Sequence, residues 1–401
     1  MKKTWLLGFG FFSISITWAL YNAFVPFFLD DFIKSVWLIG FMMTIDNYFA
    51  ILLQPLIGRI SDRTDTRYGR RMPFLIVGMP LAALFGALIP WHNSLLLLVA
   101  FMVLMNLSMS LYRSPTVALM PDITVPAKRT QANGIINFMG GVGSIIAFAG
   151  GSYLYGQHPS FPFLFAAVLT VVCLFVLLFA VKEKRDAVYY APPEESKRSS
   201  YRREWTKPTL FLLGAIFFWF FAYQGVEALF TLYGINHLKL TEGQASFSLA
   251  FFSLAFVLTA IPSGLLGKRF GKKAVITAGV CGLIVIFASI SLIESLLALR
   301  IMLVLGGMFW ALININSYPF IVSLGKESSI GTRTGIYYFA SSLAAISSPP
   351  LMGLIIDWLD YSVLFYTASG GMVLALLCLL GVKDKGKDVS AAGAASTRAG
   401  A

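Results

Sequence analysis

Twelve runs of 18 or more mainly apolar residues recur along this chain, and they constrain its fold more than any other feature. A run of that length crosses the roughly 30 Å hydrocarbon core of a bilayer as an α-helix. With 57% apolar and only 12% charged residues, the 401-residue chain does not have the composition of a soluble protein. We number the runs as spans 1 to 12, and they cover residues 5–29, 36–57, 72–90, 94–119, 132–154, 162–181, 208–233, 244–266, 274–293, 297–321, 334–355 and 361–382.

Lysine and arginine are distributed unequally between the two faces of such a bundle. If the termini and the even-numbered turns share one face, that face carries 27 of the 31 basic residues. Cytoplasmic loops of membrane proteins carry this excess. We therefore expect a multi-pass protein of the cell (inner) membrane with both termini in the cytoplasm. The net charge of +12 then follows from topology and does not indicate a nucleic-acid partner.

The densest group of charges lies between spans 2 and 3. This segment, Gly58–Arg71, reads Gly-Arg-Ile-Ser-Asp-Arg-Thr-Asp-Thr-Arg-Tyr-Gly-Arg-Arg, and we call it the signature loop. A weaker copy, Gly267-Lys-Arg-Phe-Gly-Lys-Lys273, lies between spans 8 and 9. The pattern Gly-x-x-Ser-Asp-Arg…Gly-Arg-Arg resembles the loop between the second and third helices of major facilitator transporters.

The two parts of the chain match each other at a nearly constant offset. Residues 68–71 correspond to residues 270–273 at an offset of 202, and residues 133–138 correspond to 334–339 at an offset of 201. Parallel repeats of six spans place a substrate site between the halves near the membrane midplane. The resemblance implies an all-α integral membrane protein with the major facilitator fold. Its predicted parts are an N-terminal half (1–181), a cytoplasmic linker (182–207), a C-terminal half (208–382) and a disordered tail (383–401).

Three charged side chains lie well inside the predicted spans: Asp46, Arg113 and Glu227. Each costs on the order of 2.5–3.5 kcal/mol to insert at mid-span, so each needs a functional or structural reason. Arginine stays protonated and can only hold an anion or donate hydrogen bonds. The carboxyl groups of Glu227 and Asp46 can instead carry a coupled proton. Asp46 equally fits a permanent ion pair with Arg113, and the sequence leaves both roles open.

Polar residues on the spans that surround these charges complete the candidate site. Asparagine and tyrosine side chains in spans also form hydrogen bonds between helices. Each of these residues could therefore have a structural role instead of a role in binding. The predicted substrate-binding residues are Arg113, Asn22, Asn133, Asn137, Tyr223, Gln224, Asn314, Tyr337 and Tyr338. The predicted gate residues are Gly58, Asp62, Arg63, Arg67, Gly69, Arg70, Arg71, Asp122 and Arg129. When the cytoplasmic side closes, we expect Asp62 to face a neighbouring helix N-terminus or to pair with Arg70 or Arg129.

Three motifs resemble a narrower family, the sucrose-transporter branch of the glycoside–pentoside–hexuronide cation symporters. They are Gln54-Pro-Leu-Ile-Gly58 with the signature loop, Met120-Pro-Asp-Ile-Thr124, and Thr334-Gly-Ile-Tyr-Tyr-Phe339. The resemblance implies a cation-coupled importer of sugars or glycosides. Sodium-coupled members carry two acidic residues four apart on helix 2, where this chain has Ala50 and Gln54. This departure favours protons as the coupling ion.

A second departure concerns span 4. Plant-type sucrose carriers have an arginine two residues after a proline, where this chain has Val117 after Pro115. Arg113 lies one helical turn earlier on the same face. It also falls where the melibiose-type members carry a sugar-binding acid, so the position favours a substrate role and leaves the sugar undefined.

We therefore expect a proton-coupled symporter of a sugar or glycoside that works by alternating access, as a monomer in the lipid bilayer. The alternative is a proton-driven exporter or a carrier of an amphiphilic, lipid-like solute, which the 35 phenylalanines would suit. A third class is a membrane receptor or a membrane enzyme. No metal-ligand cluster or nucleophile–base spacing is seen in the sequence, so we expect neither an enzyme nor a cofactor.

Overall fold

The computed structural model describes residues 2–125, 128–183, 207–323 and 330–382. Within these ranges twelve helical spans are long and apolar enough to cross a membrane, as predicted. Helices satisfy their backbone hydrogen bonds internally, which the apolar core of a bilayer requires. The helices are Lys2–Asp30, Val36–Met43 and Ile45–Arg63 (together span 2), Met72–Leu88, Leu95–Ile123, Arg129–Tyr155, Phe161–Ala180, Lys207–Asn236, Glu242–Phe270, Lys272–Ile290, Leu296–Ser323, Ile330–Trp358 and Val363–Leu380.

Several boundaries differ from the sequence prediction. Span 2 continues to Arg63, so only the second part of the signature loop is a turn, and Asp62 lies within the last helical turn. The prediction that span 2 ends at residue 57 and that the whole signature loop is a turn was therefore wrong, because Gly58–Arg63 continues the helix of span 2. The predicted tail (383–401) and most of the predicted linker, residues 184–206, lie outside the described residues.

Span 2 is not one continuous helix. It is divided at Thr44, which ends the helix Val36–Met43 and precedes the helix that begins at Ile45. The hydroxyl of Thr44 donates to the carbonyl of Phe41 at 2.8 Å. A short polar side chain that bonds the local backbone competes with the regular helical pattern. The division places Asp46 in the first turn of the second helix.

The two halves of the bundle use the same packing scheme. In the N-half (spans 1–6), span 1 packs against spans 5 and 6, and span 4 packs against spans 2 and 3. In the C-half (spans 7–12), span 7 packs against spans 11 and 12, and span 10 packs against spans 8 and 9. Spans 3 and 6 pair in the same way as spans 9 and 12. The internal repeat of the sequence is thus a repeat of structure.

The halves meet mainly through three pairs of spans: 1 with 7, 2 with 11, and 5 with 8. We call the side that carries the signature loop the loop face and the other side the opposite face. The first helix of span 2, at the opposite face, packs closely on span 11, whereas the second helix packs mainly on span 4. The halves are therefore joined at the opposite face by the first helix of span 2, whereas the second helix of span 2 makes little contact with span 11.

Glycines allow this close approach of spans 2 and 11. A Cβ atom on Gly353 would lie 2.5 Å from the carbonyl oxygen of Val36, and one on Gly40 would meet the backbone of Pro349. A contact of that kind involves backbone atoms, which cannot turn aside as a flexible side chain can. The absence of a side chain at these positions is a condition for closure of the opposite face.

We predict that Gly353→Ala opens the opposite face, because its Cβ would push the backbone of Val36 away. Spin labels at the exposed positions Trp91 and Leu292, one on each half, report the separation there in a background without the native cysteines. The distance between the labels should increase. Gly335→Ala is the matched control on the same span, because no atom lies within 4 Å of its Cβ position. Equal distances in the two variants would contradict this role for Gly353.

Candidate functional site

The three buried charges of the sequence come together at the junction of the halves. Asp46 of span 2 interacts electrostatically with both Arg113 of span 4 and Glu227 of span 7. All three side chains are partly buried at this junction. Because spans 2 and 4 belong to the N-half and span 7 to the C-half, the cluster crosses the interface that must change when the halves move.

Asp46 and Arg113 are neighbours without forming a direct ion pair. Among the described residues, the ion pairs resolved in detail lie in the signature loop region, and none joins these two side chains. The amide of Asn47 donates to Asp46 at 3.0 Å, and the guanidinium of Arg113 lies 5.8 Å from the ring centre of Trp18. The donors of Arg113 are thus not consumed by the carboxylate, which a permanent structural pair would require.

Glu227 has a different environment from Asp46. Its carboxyl group has the amide of Asn22 and the hydroxyl of Tyr223 as hydrogen-bonding neighbours. Asn22 is on span 1 of the N-half, so this contact crosses between the halves. The ring of Tyr223 stacks on Trp310 with a centroid distance of 4.1 Å and on Phe252 at 5.9 Å. Tyr223 is therefore held in place by packing and presents its hydroxyl to the carboxyl group.

The other predicted binding residues are distributed more widely. Tyr338 is 59% exposed and interacts electrostatically with Arg113, so it faces the space between the halves. Tyr337 is buried and bonds its hydroxyl to Ser317 at 2.9 Å, which links spans 10 and 11. The carbonyl of Asn314 accepts from the same Ser317 at 3.0 Å. Gln224, beside Tyr223 on span 7, is half-buried.

Asn133 and Asn137 do not join the charge cluster in this state. Both are exposed near the loop-face end of span 5, and the amide of Asn137 donates to the carbonyl of Asn133 at 2.8 Å. The structure therefore separates the predicted binding residues into an inner group around the three charges and an outer pair near the loop face.

Two polar residues beside the cluster were missed by the sequence reasoning. Asn106 is buried on span 4, and its amide donates to the hydroxyl of Tyr21 at 3.4 Å. Tyr21 in turn interacts electrostatically with Asp46. Asn106 lies seven residues before Arg113, two turns away on the same face of the helix. That spacing was the signal in the sequence that could have identified Asn106. The second missed residue, Asn47, directly follows Asp46 in the sequence and donates to it.

The signature loop forms a charge network around Arg71. The guanidinium of Arg71 pairs with Asp62 and donates to Asp122 at 3.1 Å. It also donates to the hydroxyl of Ser61 and to the carbonyl of Gly58 at 3.4 Å. Spans 2, 3 and 4 are thereby tied together at the loop face. Asp62 pairs with Arg71 in this state, in which the halves are joined at the opposite face. The pairing with Arg70 or Arg129, expected when the loop face closes, stays a prediction.

The remaining predicted gate residues have separate roles. Gly69 has φ +118°, a left-handed backbone that favours glycine and allows the turn. Arg129 donates to the carbonyls of Pro121 and Thr124, at 3.3 and 3.4 Å, and so closes the C-terminal end of span 4.

Three arginines complete the set of predicted gate residues. Arg70 lies 3.7 Å from Asp122 and so joins the network around Arg71. Arg67 donates to the hydroxyl of the neighbouring Tyr68 at 2.7 Å. Arg63 is exposed at the end of span 2. The centre of the network is thus Arg71, with Arg63 and Arg67 at its edge.

Glu183, which the sequence reasoning missed, holds the start of span 3. Its carboxylate accepts from the backbone N–H groups of Arg70, Arg71 and Met72 at 2.9 to 3.1 Å. These donors have no partner within the helix, and a carboxylate is favoured at a helix N-terminus. The only signal in the sequence was a single acidic residue shortly after span 6, more than 100 residues away from its partners.

Comparison with known proteins identifies the family. The profile of the Major Facilitator Superfamily matches residues 7–249 and 235–399 of the chain. The chain belongs to the Major Facilitator Superfamily. It is therefore a non-enzymatic, multi-pass membrane transporter of small-molecule solutes, with two six-helix halves. A solved structure of a mutant of the nucleoside transporter NupG has the same fold, with a TM-score of 0.77 and 13% identity over 95% of this chain and all of that one.

Proteins with similar sequences are named for different solutes. Tetracycline resistance protein, class D, of Salmonella ordonez is 26% identical over 85% of this chain and 86% of its own length. Sugar efflux transporter C of Escherichia coli K12 is 23% identical over 93% of this chain and 94% of its own length. Proton-associated sugar transporter A of Homo sapiens is 27% identical over 46% of this chain and 28% of its own length. Membership in the superfamily alone therefore does not define the solute.

We predict that Glu183→Ala destabilises the protein by about 1–3 kcal/mol, because it leaves buried backbone donors without an acceptor. Thermal unfolding in detergent measures the change, followed by the fluorescence of a thiol-reactive dye that reacts with buried Cys173 on unfolding, in a background in which Cys281 and Cys378 are replaced. Glu294→Ala, at an exposed acid in the turn after span 9, is the control and should unfold like the wild type. Equal unfolding temperatures for both variants would show that the contact of Glu183 contributes nothing measurable.

Proposed function

We propose that this transporter is a proton-coupled symporter of a sugar or glycoside that works by alternating access. The observation that carries the proposal is the cluster of two carboxyl groups and one guanidinium at the junction of the halves. A cluster placed there changes its own contacts when the halves rock. The names of two relatives, one a sugar efflux transporter and one a proton-associated sugar transporter, support a sugar as the solute.

The electrostatics of the cluster support a proton as the coupled ion. With both carboxyl groups ionised, Asp46 and Glu227 face a single guanidinium, and the cluster carries one excess negative charge. In a site of low polarity that charge is costly unless it is paired. One proton neutralises the cluster without a coordination shell, in agreement with the absence of paired acids at Ala50 and Gln54.

Glu227 is our preferred proton carrier. Its hydrogen-bonding neighbours lie on both halves, Asn22 on span 1 and Tyr223 on span 7. A protonated carboxyl group donates one hydrogen bond and accepts fewer, so its contacts across the interface change with its charge. Proton and solute then stabilise the same loaded state, which is the condition for coupling.

Arg113, Asn22 and Tyr338 supply the donors and acceptors that a solute with several hydroxyl groups needs. The guanidinium presents several donors in one plane, which suits two adjacent hydroxyl oxygens. Trp18 adds an apolar ring face beside it, as a sugar ring requires. We propose that the solute binds between Arg113 and Glu227.

We further propose that the loop face is cytoplasmic, that the protein lies in the cell (inner) membrane, and that it acts as a monomer. The excess of lysine and arginine on the loop face supports this orientation. An impermeant thiol reagent tests it on cysteines placed at exposed Tyr68 on the loop face and exposed Trp91 on the opposite face. In intact cells only the cysteine at position 91 should react, and reaction at position 68 would reverse the assignment.

Reconstituted vesicles separate the roles of the two carboxyl groups. We expect Glu227→Gln to abolish proton-driven accumulation of labelled sugar and to retain counterflow exchange, because a neutral amide resembles the protonated acid. Asp46→Asn is the matched variant and should keep some accumulation. The opposite result would assign the proton to Asp46, and loss of counterflow in both variants would place both residues in solute binding.

We expect Arg113→Lys to weaken solute binding by about 1–3 kcal/mol, the cost of leaving a polar group without its partner. Equilibrium binding of labelled sugar to purified protein measures the change. The double variant Asp46→Asn, Arg113→Gln is the control for a structural role. Full recovery of binding in that variant would show that the two residues hold the fold and not the solute.

A second candidate function, proton-driven export, is favoured by the relatives that cover most of the chain. Both the tetracycline resistance protein and the sugar efflux transporter are named for resistance or efflux. Everted membrane vesicles whose lumen is more acidic than the medium distinguish export from import. An exporter would accumulate sugar or an amphiphilic drug there, whereas a symporter would release sugar.

A further inference from the structure

A carboxylate crosses from the C-half to the N-half at the opposite face. It belongs to Asp357, in the last turn of span 11. Its Oδ1 atom accepts from the backbone N–H of Val36 at 2.7 Å. Its Oδ2 atom accepts from the N–H of Trp37 at 2.9 Å and from the hydroxyl of Ser35 at 2.7 Å. Three donors of one half thus converge on one side chain of the other.

These donors belong to the start of span 2. The first N–H groups of a helix have no partner within it, and the partial positive charge of a helix N-terminus favours a carboxylate. Ser35, the N-cap residue, accepts from Leu38 at only 3.4 Å. Asp357 supplies the acceptors for the N–H groups of Val36 and Trp37, the first two residues of the helix. The helix Val36–Met43 therefore takes most of its N-terminal capping from the other half of the molecule.

We propose that Asp357 is a gating residue, whose carboxylate latches the start of span 2 to span 11 and holds the opposite face closed. The residue touches neither the proposed solute nor the charge cluster, so this role goes beyond the coupling chemistry. It rests on the proposed function in one respect: the latch must break whenever the opposite face opens. The state described here is the latched state.

The packing below the latch has the form that such a gate requires. Gly40 and Gly353 allow spans 2 and 11 to approach through backbone atoms. The seam ends at Thr44, where span 2 is divided, and the second helix packs mainly on span 4 of its own half. The latch thus holds only the first helix of span 2.

The equivalent place in the other half is built differently. There span 8 starts at the opposite face beside the end of span 5, and its N-cap residue Thr241 forms a reciprocal capping box with Gln244. The contact from span 5 is a hydroxyl, Ser152, which donates to the carbonyl of Gly243. Span 8 therefore satisfies its own N-terminus, whereas span 2 depends on a charged group from its partner half. The contact between spans 2 and 11 is therefore the stronger of the two contacts that hold the opposite face closed.

Spin-label distances test the latch without solute or a proton gradient. One pair of labels, at positions 91 and 292, spans the opposite face, and a second pair, at exposed Tyr68 and Phe270, spans the loop face. We expect Asp357→Ala to lengthen the first distance and to shorten the second. Loss of a capping side chain should change the ratio of the two populations about twofold to thirtyfold.

Asp31→Ala is the matched control, because Asp31 is an exposed acid at the end of span 1 on the same face. It should leave both distance distributions unchanged. Ser35→Ala removes one of the three donors and should shift the populations in the same direction by less. Asp357→Asn keeps the size of the side chain and remains informative if the alanine variant does not fold. Distances in Asp357→Asn and Ser35→Ala equal to those of the wild type would overturn the proposal.

The same measurements separate this proposal from the proposed function. If the protein transports no sugar but the label distances respond to Asp357→Ala as expected, the latch is supported and the proposed solute is wrong. If the protein accumulates sugar but the label distances do not respond, the proposed function is supported and the latch is wrong.

Discussion

An unpaired backbone N–H or C=O group inside a bilayer has no water to bind, and this constraint shapes the protein from its spans to its gates. Helices solve the problem along each span but leave unpaired donors at each start. At two starts the donors are satisfied by carboxylates that are remote in sequence, Glu183 at span 3 and Asp357 at span 2. The charges that stabilise helix ends therefore also decide which spans are tied together.

The loop-face turn between spans 2 and 3 and the one between spans 8 and 9 share a backbone geometry but are stabilised by different side-chain interactions. Gly69 and Gly271 are 202 residues apart, and both have the positive φ that their turns require. In the N-half, Arg71 binds the carboxylates of Asp62 and Asp122. In the C-half, Lys272 and Lys273 donate instead to backbone carbonyls, those of Pro319 and Val382.

This difference has a physical consequence for the two halves. Charge-assisted pairs between ionised groups are stronger than hydrogen bonds to neutral carbonyls. Removal of one partner from a buried ionic network also leaves an uncompensated charge, which removal of a lysine from a carbonyl does not. The N-half turn is thus the more rigid and the more vulnerable of the two. The same inequality recurs at the opposite face, where Asp357 has no charged counterpart on span 5.

Much of the fold could be predicted from the sequence, because the spans depend on local composition and the repeat on a nearly constant offset. The three buried charges could also be found, since an ionisable group inside an apolar run is conspicuous. Their convergence was expected only from the fold that the resemblance implied. The division of span 2 at Thr44 has no proline or glycine to signal it. Glu183 and Asp357 act on partners more than 100 and 300 residues away, so no local pattern identifies them.

The halves are joined in this state by carboxyl groups of the C-half that face donors of the N-half. Glu227 does so near the centre of the spans, through Asn22, and Asp357 does so at the opposite face, through span 2. The two sites differ in what changes them. In the proposed mechanism a proton at Glu227 alters a contact beside the proposed solute site, whereas the contact of Asp357 depends on the position of span 2. Asp46 lies in the first turn after the division of that span and senses the charge of Glu227. Movement of span 2 and charge at the centre therefore act on the same few residues, and a transporter needs this connection if binding is to open one face and close the other.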